Sequence, residues 1–169
     1  AWEEVALDGW EVIGLNDRSD IVFPAPVWAL AEVGDRVFVG GRFTHVRRGP
    51  GSVEYPQSFL AAFDRASGEW ISDFRPQIEN GVYALSASPD GTRLLVGGEF
   101  TDIDGMPNTS GLAALDPITG EVDPTFVANV THANSVNSVK EIVTHGPHVY
   151  IAGDFTHVQG ATGEPQRQY

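Results

Sequence analysis

The feature that most limits how this chain can fold is a threefold internal repeat. The first copy reads VWALAEVGDRVFVGGRFTHV from Val27 to Val46, and the second VYALSASPDGTRLLVGGEFTDI from Val82 to Ile103. The third reads VKEIVTHGPHVYIAGDFTHV from Val139 to Val158. A glycine pair closes the apolar run as Gly40-Gly41 and Gly97-Gly98, and as Ala152-Gly153 in the third copy. Phe43, Phe100 and Phe155 follow at the same offset, 57 and 55 residues apart, and each precedes a threonine (Thr44, Thr101, Thr156). Two copies carry a further half, LAAFDRASGEW ending at Trp70 and LAALDPITGEV ending at Val122, with Asp64 and Asp116 spaced by 52 residues.

Each copy reads as four short strands. V-x-A-L alternates as a half-buried strand does, and Val82 to Ser86 is the clearest case. Pro89-Asp90-Gly91 is strong turn chemistry, since Pro presets φ and Gly accepts a positive one. The apolar run Arg93 to Val96 makes the second strand, and Leu112 to Leu115 the third. A D-x-x-[ST]-G turn follows, in which Asp64 or Asp116 caps backbone N–H groups and Gly68 or Gly120 takes the left-handed conformation. A fourth, shorter strand is expected around Glu121 and Val122. No segment of helical length carries a 3.6-residue period, so the chain is all-β.

Four antiparallel strands in each unit of roughly fifty residues, repeated, describe blades of a β-propeller. One blade cannot bury both of its faces, so neighbours must stack. The glycine pairs let a strand end pass close to neighbouring backbone, and the three phenylalanines are expected to fill the space between blades. Residues 27–81, 82–138 and 139–169 divide as blades one, two and a truncated three. Residues 1–26 divide as a half-blade or the remnant of a preceding one, because Val5-Ala6-Leu7-Asp8-Gly9 resembles the LAALD half and Trp10 to Leu15 follows as a strand. About three blades fall short of the four to eight that close a ring. The expectation is a partial propeller, completed by the rest of its own protein or by a second copy.

The order apolar-run-Gly-Gly-x-Phe-Thr, then Leu-Ala-Ala-[Leu/Phe]-Asp-x-x-[Thr/Ser]-Gly, resembles the β-propeller repeats of large bacterial secreted and surface proteins. Those repeats are catalogued as a domain of unknown function and are kelch-like in their double glycine. The resemblance spans Val27 to Val158. It implies an extracellular location, secreted or at the cell surface, within a multidomain protein, and brings no family-wide catalytic residues. The third copy departs from the pattern: Ala152 replaces the first glycine, and Lys140 and Glu141 replace an aromatic and an alanine. Its inner strand is expected to face solvent or an open edge.

Among 169 residues, 23 acidic against 10 basic side chains leave a net charge of −13. That balance argues against nucleic acid and anionic membrane surfaces as partners, because phosphate binding needs clustered Lys and Arg. It suits an acidic surface that keeps the protein dispersed, and it is compatible with contacts to cations or carbohydrate. No run of about eighteen apolar residues is present, so no membrane insertion is expected. With no cysteine, disulfides, thiolate metal sites and cysteine nucleophiles are excluded.

Candidate binding residues are few. Trp28 and Tyr83 are equivalent first-strand aromatics and Trp70 lies just past the D-x-x-[ST]-G turn. Tyr55 sits in the Arg47–Gln57 insertion, the most distinctive loop and the favoured contact surface. Exposed aromatics stack on sugar faces; packing between blades is the competing role for the same rings. Asp102, Asp104 and Asn108 form a D-x-D-G-x-x-N run whose alternating oxygens suit calcium. Yet Ala113 stands where a closing Glu would be, and a solvated hairpin tip competes; no other cofactor is expected. His145 and His148 flank a Gly-Pro turn without an evident third ligand, and His45 and His157 are repeat equivalents. No Ser/His/Asp constellation or phosphate-cradling glycine loop can be placed. The expected function is a non-catalytic extracellular scaffold or recognition module whose protein or glycan partner stays open. The alternatives are a carbohydrate-binding propeller, or part of a propeller enzyme whose active site lies in other blades.

Overall fold

The computed structural model describes residues 9–15, 22–23, 25–160 and 165–167. The LAALD-like stretch 5–8 lies outside them. Every named strand pair is antiparallel, and no helix occurs among the described residues.

Each sequence copy builds its own small sheet. In the first, β3 (Val27–Val33), β4 (Arg36–Gly41) and β7 (Leu60–Asp64) lie in that order. The second repeats it with β8 (Val82–Ala87), β9 (Leu94–Gly98) and β10 (Leu112–Leu115), and the third is the hairpin of β11 (Ser138–His145) and β12 (His148–Asp154). The three sheets stack in chain order, β8 across β3 and β4, and β11 across β8 and β9. None closes on itself.

The turn chemistry acts as the residues demand. Asp64 Oδ1 takes hydrogen bonds from the N–H groups of Ala66 and Ser67 and from the Ser67 hydroxyl. Asp116 Oδ1 takes those of Ile118 and Thr119. Gly68 and Gly120 follow at φ of 73° and 81°. The expected fourth strand shrinks to one bridged pair per copy, Phe63 with Trp70 and Leu115 with Val122. The first two sheets are therefore three-stranded with a bridge. Once the turn has reversed the chain, residues beyond Trp70 and Val122 leave to enter the next copy, with no further ladder to hold them.

The Arg47–Gln57 insertion, expected as a loop, contains strand structure. β5 (His45–Arg48) and β6 (Glu54–Pro56) pair as a hairpin, and β1 (Trp10–Leu15) runs along the other edge of β5, with β2 (Val22–Phe23) outside it. Arg47 ties them together, its guanidinium 2.6 Å from Glu11 and 3.2 Å from Glu54. The N-terminal strand thus pairs with the first copy's own insertion. In the third copy the corresponding segment is β13 (His157–Gln159), paired with β14 (Pro165–Arg167).

Two cores lie between the stacked sheets. Phe38, Leu60, Phe74, Val82, Leu94, Phe100 and Leu115 fill the first, where Phe38 meets Phe74 edge-on at 5.2 Å. Leu95, Leu112, Val130, Val139 and Ile142 fill the second. β9 is buried along its whole length because Leu94 and Val96 face one neighbour and Leu95 the other. Phe43 is fully buried, but under the β5 hairpin with Val46 and Ala61. Phe155 is half-buried against the second core.

The glycine pairs divide their work. At the first glycine, an added Cβ would lie 2.6 Å from Val82 Cγ1 at Gly40, and 2.8 Å from Val139 Cγ1 at Gly97. These positions admit a valine from the next sheet. At the second glycine, a Cβ would strike a backbone carbonyl of the same sheet: Pro26 O at 2.2 Å for Gly41, Gly81 O at 2.3 Å for Gly98, and Ser138 O at 2.0 Å for Gly153. Hence the second glycine recurs in every copy, while the first gives way to Ala152, which is exposed.

Candidate functional site

The close approach at the second glycine comes from a β-bulge. Val27 pairs with Gly41 and Ala29 with Gly40, so Trp28 is the extra residue. The same shift makes Tyr83 extra between Val82 and Ala84, and Lys140 between Val139 and Glu141. A bulge re-aims the side chain it carries. Trp28, Tyr83 and Lys140 are therefore presented alike by three consecutive sheets. The Trp28 and Tyr83 rings stack at 4.6 Å with 40° between planes, and Trp28 also covers Gly81.

In the second and third sheets the bulged residue stands beside the one that follows the glycine pair, Glu99 or Asp154. Tyr83 donates its hydroxyl to Glu99 Oε2 at 2.8 Å, and Lys140 Nζ lies 2.5 Å from Asp154 Oδ2. Partial burial, helped by the Glu99 hydrogen bond, raises the Tyr83 pKa, so the phenol stays protonated. The Lys140 hydrogen bond holds the Asp154 carboxyl below its ordinary value. These groups line an open cleft of about 620 Å³ together with His132, Ser135, Val136, Ser138 and Phe155. An aromatic platform thus runs into a cleft that offers carboxylate acceptors, an ammonium donor and hydroxyls. Such a surface suits a ligand with one apolar face and several polar edges.

Of the four aromatics expected to bind, Trp28 and Tyr83 come together here, whereas Tyr55 and Trp70 meet elsewhere. Their rings lie 5.2 Å apart, with Trp10 5.9 Å from Tyr55 and 5.3 Å from Trp70. The Arg75 guanidinium sits 5.2 Å from the Trp70 ring centre, and Trp10 Nε1 donates to Glu69. Trp10 and Trp70 pack against the buried Phe43 group, so this second cluster supports the β5 hairpin and leaves Tyr55 at its exposed rim.

The Asp102–Asn108 loop uses its carboxylates on backbone. Asp102 Oδ1 accepts from Gly105 N–H and Asp104 Oδ1 from Gln77 N–H, both at 2.8 Å, while Asp104 and Asn108 adopt positive φ. Among the described residues no group of three or more His, Asp or Glu side chains is arranged to hold a metal ion. His145 and His148 face each other across the exposed β11–β12 turn. His45 and His157 repeat one arrangement, each Nδ1 lying 2.9 Å from the preceding threonine hydroxyl.

Glu99, His132, Lys140 and Asp154 escaped the sequence reading as site residues, as did Trp10 as an aromatic partner. A signal was present: the second residue of the first strand and the residue after the glycine pair change together, as Tyr with Glu and as Lys with Asp. Without the bulge, nothing places those positions side by side. Neither a protein-family model nor a curated protein matches this chain.

Proposed function

We propose that the chain is a section of a β-propeller from a secreted or cell-surface protein, and that it serves as a non-catalytic recognition module. The propeller reading is supported by the recurrence of one contact, a valine seated on a glycine of the preceding sheet, at both places where sheets meet. The single observation that carries recognition is the Trp28–Tyr83 stack on consecutive bulges, running into the Glu99, Lys140 and Asp154 cleft. Residues held on bulges keep their orientation without the occupant, which lowers the ordering cost of binding. The sequence resemblance supports the extracellular setting, with which the net charge of −13 is compatible.

Carbohydrate is the second reading, favoured by the same stack. An aromatic face takes the apolar side of a pyranose while Glu99 and Asp154 accept from its hydroxyls. A glycan array and a peptide array, each probed with the protein and with Trp28→Ala, separate the two partner classes. The expected ligand loses about thirtyfold in affinity in the variant, as a central aromatic anchor of about 2 kcal/mol requires. A ligand held with full affinity by Trp28→Ala and lost in Tyr55→Ala would move the site to the hairpin.

A further inference from the structure

The two ends of the stack are not equivalent. The face of the first sheet that turns away from the second carries Val27 and Leu30, 42% and 66% exposed. Their equivalents are Val82 and Leu85 at 0% and 9%, and Val139 and Ile142 at 0% and 8%, each pair buried on the preceding sheet. Val37, Val39 and Phe63 extend this face, which with Trp10 and Val12 lines an apolar groove. The same positions of the second sheet, Leu94, Val96 and Leu115, are buried against the first. This groove is half of an interface seen twice in the molecule.

The far face of the third sheet cannot supply the other half. In the interior contacts that half includes a glycine (Gly40, Gly97) and an alanine (Ala29, Ala84), beside Phe38 and Ala62 in one contact and Leu95 and Ala114 in the other. The third sheet keeps exposed Tyr150 and Val143 on this face but has Ala152 and Glu141, both exposed, in place of the glycine and alanine. The Ala152 methyl occupies the place where an added Cβ meets valine at 2.6 and 2.8 Å in the two interior contacts. Glu141 would bring an unpaired carboxylate into an apolar contact.

We infer that the stack is polar. The Val27–Leu30 face accepts a further sheet of this same repeat type bearing glycine at the Gly40 position, while the Ala152–Glu141 face refuses copies of its own kind. The occupant follows from continuity with the two interior contacts, and the inference stands independently of the recognition proposal. Native chains should therefore not join head to tail, and removing the two blocking side chains should let them do so.

The test mixes two forms of the chain by sedimentation velocity. The donor carries Glu141→Ala, Ala152→Gly and Leu30→Glu, which opens its far face and blocks its near one. The acceptor is the native chain. The expected result is a 1:1 complex, lost when the acceptor also carries Leu30→Glu, and weakened at least about tenfold when the donor retains Ala152. All three positions are exposed, and circular dichroism melts of donor and acceptor verify folding. Should the triple donor melt early, native chain carrying Ala152→Gly and Glu141→Ala alone provides the readout, as concentration-dependent association. No complex between folded partners, or head-to-tail association of the native chain sensitive to Leu30→Glu, overturns the inference.

Discussion

At the scale of single residues, position within the glycine pair decides the cost of a methyl group. Gly97→Ala places a Cβ on a valine side chain that has some room to move, and should cost about 1–3 kcal/mol as core overpacking does. Gly98→Ala meets a backbone carbonyl at 2.3 Å, which cannot shift without breaking the bulge, and should cost more. Ala152→Gly should change stability by less than about 1 kcal/mol, since it removes an exposed methyl at the entropic cost of a glycine in a strand. Urea midpoints should fall least for Ala152→Gly, further for Gly97→Ala and furthest for Gly98→Ala. The threonine after each phenylalanine repeats one contact. Its N–H and hydroxyl both reach the same oxygen, Ile13 O, Glu79 Oε1 or Thr131 O.

Turn carboxylates set the acid behaviour. Hydrogen bonds from the Ser88 hydroxyl and Thr92 hold Asp90 at about 2, against an ordinary 3.8. The Ser67 N–H lowers Asp64, the Thr119 N–H lowers Asp116, and the Thr125 hydroxyl lowers Asp123. Each group is more acidic folded than unfolded, so the unfolded chain binds more protons below about pH 4. Stability present above that pH should be lost as pH falls toward about 2. Asp90→Asn and Asp116→Asn should each flatten the fall, read as urea midpoints from about pH 2.5 to 7.

At the scale of elements, strand identity was largely legible and strand partnership was not. The V-x-A-L alternation, the apolar run into the glycine pair and the LAAL segment all form strands close to where periodicity puts them. The fourth strand shrank because two residues past a tight turn hold no ladder alone. β1 was visible as a strand, but its partner β5 lies in an insertion rich in Arg, Gly and Pro, where composition favours a loop. Val46 and Phe43 are fully buried beneath that pairing. A chain shortened to begin at residue 25 should therefore lose amide protection around residues 43–48 and 60–62. Residues 94–98, buried between two other sheets, should keep theirs, as hydrogen exchange followed by mass spectrometry will show.

For the whole molecule, stability comes from two inter-sheet cores that share β8 and β9, so the sheets should unfold as coupled neighbours. Val139 is the valine seated on Gly97. Val139→Ala removes two buried methyl groups and should cost on the order of 1–3 kcal/mol. It should also loosen β11–β12 ahead of the rest, visible as a broadened or two-step melt beside the single native transition.

By itself the sequence determined the repeat, the all-β character, the turn residues and the aromatic pair Trp28 and Tyr83 as a binding candidate. All of these follow from local periodicity and backbone preference. Tertiary structure alone decided that those two rings stack on successive bulges, and that Glu99, Lys140 and Asp154 share their surroundings. It also separated Tyr55 and Trp70 into a supporting cluster and gave the two glycines of each pair different neighbours. The physical reason is common to all of these. A bulge and a stacked sheet are relations between backbones distant in sequence, set by which carbonyl or methyl comes within contact distance, and no single strand's pattern contains that distance.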